Sequence, residues 1–188
     1  MCIERRQRGL TLIELIVFIV IVGVALAGIL AVMNVTMKSS SDPLIRKQML
    51  AIAESLMTEV QMQAHTWCDP NDAAAATATA AADCTGGAGG ANDETNATLG
   101  PETGEVRGSN TSPYDNVNDY NGRASIVSGL TGTAFPSGYS ASISVAQAAL
   151  GDLAASSASL LITVTVSHGS QSLTLHGYRA RFAPNHTP

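Results

Sequence analysis

Residues 10–33 are a predominantly apolar run in which Glu14 is the one charge. At about 1.5 Å rise per residue, about 20 such residues cross the ~30 Å hydrocarbon layer of a bilayer as a helix. The flanks set its direction. Arg5, Arg6 and Arg8 precede the run and the first lysine after it is Lys38, so the amino end is expected in the cytoplasm and the remainder beyond the membrane. A secretory signal cleaved near Ala25, Ala27 or Ala31 is a competing explanation. It gives Glu14 no purpose, although a carboxylate at mid-membrane costs about 2.5–3.5 kcal/mol and needs a partner. A plain single-span anchor whose Glu14 snorkels to the interface leaves the same charge unpaired.

The order of residues around that charge supplies a partner. Arg8-Gly9-Leu10-Thr11-Leu12-Ile13-Glu14-Leu15 resembles the prepilin motif of type IV pilins and type II secretion pseudopilins, with Leu10 at a position that is commonly Phe. The resemblance implies that a membrane prepilin peptidase cuts between Gly9 and Leu10 and methylates the new amine of Leu10. Glu14 lies four residues on, one helical turn away on the same face. In that family this glutamate pairs with the terminal amine of a neighbouring subunit during assembly, and two desolvated charges then compensate each other. The expected partners are the prepilin peptidase, the inner membrane before assembly, and other pilin subunits in a helical filament. The expected location is the inner membrane, single-pass with a periplasmic C-terminal head, and then a cell-surface pilus.

Three further stretches extend the resemblance to minor pilins of the mannose-sensitive haemagglutinin (MSHA) type. They are Tyr114-Asp115-Asn116-Val117-Asn118-Asp119-Tyr120-Asn121-Gly122 and the carboxyl-terminal segments 161–166 and 177–185. Three readings compete: a minor pilin of such a pilus, a minor pseudopilin of type II secretion, and a periplasmic binding module on a permanent anchor.

Patterning divides the chain into a leader over 1–9, a transmembrane and assembly helix over 10–38, and an amphipathic helix over 39–67. A variable Ala/Gly-rich loop follows over 68–122 and an antiparallel sheet over 123–188. Ser39-Ser40-Ser41-Asp42-Pro43 should weaken or kink the helix, with Asp42 as N-cap and Pro43 as first residue of a restart. Ile45, Met49, Ile52, Leu56, Val60 and Trp67 recur mostly at three- and four-residue steps, the stripe of a helix that needs a sheet to cover it. Gly23 and Gly28 inside the span permit close helix approach. The Ala/Thr run 73–82 and the glycines after it read as a long mobile loop, with any helix over 73–82 short. If cleavage removes Cys2, the processed chain keeps Cys68 and Cys84, expected as a disulfide in an oxidising compartment and worth about 3 kcal/mol in the chain-entropy model.

Strand periodicity dominates the carboxyl end. Tyr139, Ala141, Ile143 and Val145 alternate with serines, and Leu160, Ile162, Val164 and Val166 alternate with polar residues in the same way. His168-Gly169-Ser170-Gln171 reads as a tight hairpin turn. Beyond it, Leu173 and Leu175 have one parity and Tyr178, Ala180 and Phe182 the other, so a bulge at Gly177 is expected to bring both sets inward and leave Arg179 and Arg181 outside. A weaker strand is expected near 124–128. The class is α+β: a long N-terminal helix on a small antiparallel sheet, as in pilins.

Chemistry is sparse. No nucleophile elbow, phosphate loop or His-Glu-x-x-His is present, the histidines are scattered, and no His pair joins the cysteines as zinc ligands. No enzyme activity, cofactor or small-molecule substrate is expected. A net charge of -5, with most cations at the extreme N-terminus and in the first helical region, argues against nucleic acid. Asp115 and Asp119 offer oxygen ligands for calcium but lack EF-hand spacing, which leaves an Asx-rich turn as the stronger reading.

Overall fold

The computed structural model describes residues 9, 11–95, 100–182 and 185, without the side chains of 35–42. It divides into two units, Met1–Ile45 and Arg46–Pro188. One helix, α1 (Leu12–Gln61), contributes to both. Within the first unit, Leu12–Asn34 is long and apolar enough to cross a membrane and none of it is buried.

The restart expected at Asp42 and Pro43 does not occur, because α1 runs through Pro43. Proline deletes a single backbone donor, and the intrahelical bonds on either side carry the helix across the gap. Asp42 lies inside α1 rather than at the start of a second helix.

In the second unit α1 buries Met49, Ala53, Leu56, Met57 and Val60. These positions follow helical spacing, while Ile45 and Ile52 of the anticipated stripe are only half-buried. Their cover is a four-stranded antiparallel meander of order β1 (Arg123–Ile126), β2 (Tyr139–Gln147), β3 (Ser159–His168) and β4 (Gln171–Ala180). Every second residue of β2 and β3 points inward: Tyr139, Ala141, Ile143 and Val145, then Leu160, Ile162, Val164 and Val166. Ser125, at φ 55°, takes up one extra residue on β1 between the Arg123–Ile143 and Ile126–Ala141 pairs. The arrangement is α+β and pilin-like.

The anticipated bulge at Gly177 is absent. β4 stays in register with β3 from Gln171 to Ala180, so Leu173, Leu175, Gly177 and Arg179 share one parity. The glycine serves helix packing instead: a Cβ there would lie 2.7 Å from Met57 Sδ and 2.8 Å from Gln61 Nε2. Straight registry leaves Tyr178 and Phe182 exposed. It also brings Arg179 to the helix side, where its guanidinium donates to the Gln63 carbonyl.

Candidate functional site

Of the segment expected to be processed, Gly9 is exposed; Leu10 and residues 1–8 lie outside the described residues. The Glu14 and Leu15 amides donate to the Thr11 carbonyl at 3.1 and 3.2 Å, which places Glu14 in the first turn of α1. Its carboxylate is exposed, and among the described residues no cation comes within ion-pair distance. Large apolar side chains follow it on all sides of the helix, including Phe18, Ile19 and Leu26, each more than half exposed. A helix apolar all round is made for an apolar surrounding.

The second region with chemistry is the loop between α1 and β1. Cys68 and Cys84 are joined, and with the buried Ala75 and Ala78 they form a small core under Trp67. Turns replace the short helix considered for 73–82, with a 3-10 turn only at Ala81–Asp83. Asp72 organises this stretch. Its carboxylate accepts from the Ala74 and Thr85 amides, the Thr85 hydroxyl and the Asn92 amide, and these donors hold its pKa down to about 2. Arg107 fixes the later part of the loop by a bidentate pair with Glu59 of α1, both bonds at 2.6 Å, while its remaining nitrogen donates to the Ser128 carbonyl.

Short bridges then bring distant acids together. Asp69 N donates to the Asn92 carbonyl and Glu94 N to the Trp67 carbonyl, while Ala64 pairs with Asn116. Asp69, Glu102 and Glu105 converge, as do Glu94, Glu102 and Asp119, and Glu105, Asp115 and Asp119; in each trio one oxygen per residue lies within 4.8 Å of the others. Asp119 reaches back along the chain rather than forward as in an Asx-turn, and its Oδ2 accepts from the Asp115 and Asn116 amides at 3.0 and 2.7 Å. Its Oδ1 has no partner. Glu94 is 2% exposed and neither of its carboxylate oxygens has a hydrogen-bond partner.

Burial and crowding act on these groups together. Burial, then the charges of Asp119 and Glu102, push Glu94 far above the carboxylate range, opposed in part by the nearby Asn118 side chain. Burial followed by Asp119 does the same to Glu105. Asp119 is raised to about 8, mainly by burial, despite its two backbone donors, and Asp115 to about 6 by burial and Asp69. Arg107 pairs with Glu59, and Arg181, stacked 4.3 Å over the Trp67 ring, acts on Asp93 and Glu94 only through space.

Of the residues singled out from sequence, Asp115 and Asp119 meet in this cluster, whereas Asp69, Glu94, Glu102 and Glu105 were not anticipated as members. A signal existed: residues 68–106 hold seven acids and no lysine or arginine. Gly9 and Glu14 belong to the other unit.

No curated protein and no solved structure matches the chain. A family model described as the prokaryotic N-terminal methylation motif matches residues 5–30. That match supports a type IV pilin-like or pseudopilin protein, a structural rather than enzymatic class, and implies prepilin peptidase processing, membrane anchoring and pilin assembly.

Proposed function

We propose that the chain is a minor type IV pilin of the MSHA type, similar to the minor pilin MshD, that takes part in pilus assembly or tip structure and in adhesion. Prepilin peptidase removes residues 1–9 and methylates Leu10. Residues 10–38 hold the subunit in the inner membrane and later pack against other pilins in the filament core. The second unit, with the Cys68–Cys84 disulfide, then faces solvent.

One observation carries this reading. Glu14 is the lone charge in a fully exposed apolar helix, one turn from a Gly9-Leu10 junction that lies within the methylation-motif match. A carboxylate there needs a cation that enters the apolar phase with it, and a methylated amine at Leu10 of a neighbouring subunit is one. The resemblance of residues 114–122, 161–166 and 177–185 to MSHA-type minor pilins favours the pilin over the pseudopilin.

The decisive experiment is intact-mass and amino-terminal analysis of the protein from native membranes and from sheared surface fibres. The expected result is a chain beginning at N-methylated Leu10 in both fractions. A chain that keeps residues 1–9, or never leaves the membrane fraction, overturns the proposal in favour of a permanent anchor.

A further inference from the structure

We propose that the carboxylates of Glu94, Glu102 and Asp119 bind a calcium ion, with Glu105 and Asp115 beside them as further oxygen donors.

Glu94 is a buried acid. Its side chain is 2% exposed and both oxygens lack a hydrogen-bond partner, yet one of them lies within 4.8 Å of oxygens from Glu102 and Asp119. Burying an unpaired carboxylate costs several kcal/mol, and native structures rarely leave such a group unsatisfied. Two remedies exist, a shared proton or a cation, and geometry separates them. A proton shared between carboxyls demands an oxygen–oxygen distance of about 2.5–2.7 Å. One shared proton satisfies a single pair of oxygens, whereas Glu102 Oε2, Asn118 Oδ1 and Asp119 Oδ1 are all buried without partners around Glu94. Oxygens bound at about 2.3–2.6 Å around one cation stand roughly 3.3–5 Å apart, which suits this trio.

Other bare oxygens face the same region. Glu102 Oε2, Asp115 Oδ1, Asn118 Oδ1 and Asp119 Oδ1 are buried without partners. Asn118, 3% exposed, lines the same cleft as Glu102, and a second cleft of about 450 Å³ beside Asp69, Glu105 and Asp115 gives an ion a route in. The donors are also pre-oriented. Backbone amides hold Asp119 Oδ2 and leave its Oδ1 for the cluster, and the Glu94 backbone is fixed by its bond to Trp67 beside the Cys68–Asp93 bridge.

The donor set selects the ion. Oxygen ligands alone, without histidine or thiolate, exclude a preference for zinc. Carboxylates delivered by several separate turns suit the irregular six- to eight-fold shell of calcium better than the tight octahedron of magnesium. Bound there, the ion ties residues 94, 102–105 and 115–119 to one another. The site is independent of the amino-terminal reading, so either can fail without the other.

The test uses the full chain in detergent micelles, stripped with EGTA, titrated calorimetrically with CaCl2 and melted with and without it. Saturable binding of one ion per chain and a higher Tm are expected, with MgCl2 at the same concentration giving at most about a tenth of the shift. Glu94→Gln should weaken calcium binding by about 100-fold, yet melt above wild type in EGTA because the buried acid is gone. Glu102→Gln, at a less buried position, should weaken binding by about tenfold and serves as the second variant if the first does not fold. Absence of a saturable calcium response in the wild type, or a wild-type response in a folded Glu94→Gln or Glu102→Gln protein, overturns the proposal.

Discussion

Residues 12–34 and the loop over 64–122 are opposites in composition that share a kind of mismatch. The helix leaves Phe18 and Ile19 at 63% and 60% exposure with a single acid among them, whereas the loop buries Glu94 to 2% exposure with no hydrogen-bond partner on either carboxylate oxygen among the described residues. A chain folded for water alone does neither. Each mismatch therefore marks something the chain binds: lipid and then other helices for the first, a cation for the second. The sheet and the part of α1 that covers it are matched internally, with apolar inner faces and polar outer positions. Substitutions should sort accordingly. Those in the helix of the first unit should change assembly without changing folding, and those in the matched part should do the reverse.

The largest effect is expected at Glu14. Glu14→Ala should leave cleavage between Gly9 and Leu10 intact but reduce incorporation into surface filaments by at least about 100-fold, since a stranded amine in an apolar phase costs roughly 3 kcal/mol or more. Thermal unfolding of the second unit should not change. Immunoblots of sheared fibres against membranes, together with the mass of the membrane-held chain, separate the two steps. Normal incorporation would remove the mismatch argument for this helix. Gly9→Leu provides the opposite phenotype, with uncleaved precursor accumulating in the membrane.

Next comes the matched side. Arg107 and Glu59 are nearly buried, at 14% and 7% side-chain exposure, and Arg107→Ala strands the Glu59 carboxylate. The expected loss is about 3–5 kcal/mol of stability in denaturant titration, with processing at Gly9 unaffected. Arg107→Met, which fills the space without restoring charge, should lose about as much while Glu59 remains, and Glu59→Gln in the same chain should recover part of it. A loss below about 1 kcal/mol would place the pair among ordinary surface contacts.

How far the sequence foretold this depends on whether a pattern is local. Alternation over 139–145 and 160–166 reports a strand face directly, so the inner residues of β2 and β3 were legible one by one. The parity change after Leu175 was legible too, but its cause was not. Tyr178 and Phe182 looked like core residues, and only the contact between Gly177 and Met57 shows why the strand runs on without a bulge. Pro43 misled in the same way, because local breaker chemistry is outweighed by helix on both sides. The acid cluster failed for a different reason. Asp69, Glu94, Glu102 and Asp119 meet through bridges such as Cys68–Asp93 and Ala64–Asn116, and no spacing rule encodes pairings between irregular segments. Composition alone, acids without bases over 68–106, pointed to it.

His65 tests the matched part by pH. Its Nε2 lies 2.8 Å from the Ser157 carbonyl and 3.3 Å from Arg181, and burial first, then Arg181, lowers its pKa to about 4. Because the unfolded chain takes up this proton near pH 6.5 and the folded one excludes it, the contribution is full above 6.5 and is lost as pH falls toward 4. The loss should reach about 2–3 kcal/mol. His65→Gln removes it, so the stability difference between the two proteins should change by that amount between pH 7 and 4. A pH-independent difference would show that the folded chain binds this proton as readily as the unfolded one, contrary to the packing of His65 against Arg181.

The smallest effect separates the two regions most cleanly, because it uses one substitution in two surroundings. At Gly177 a methyl group would meet Met57 and Gln61 at 2.7–2.8 Å, both flexible side chains that must shift to admit it. Gly177→Ala should therefore cost about 1–3 kcal/mol of stability and nothing in processing. At Gly23 and Gly28 the same methyl meets nothing within 4 Å. Gly23→Ala and Gly28→Ala should leave the melting curve of the second unit unchanged, and any deficit should appear only when helices of neighbouring subunits pack, where small residues let backbones approach. A fall in filament incorporation without a fall in Tm identifies those glycines as contact positions, whereas wild-type incorporation shows that this part of the helix meets its neighbours through its large side chains. Loss of Tm in the Gly23 variant would contradict the division itself, since it would require a contact inside the chain that the exposed helix does not make.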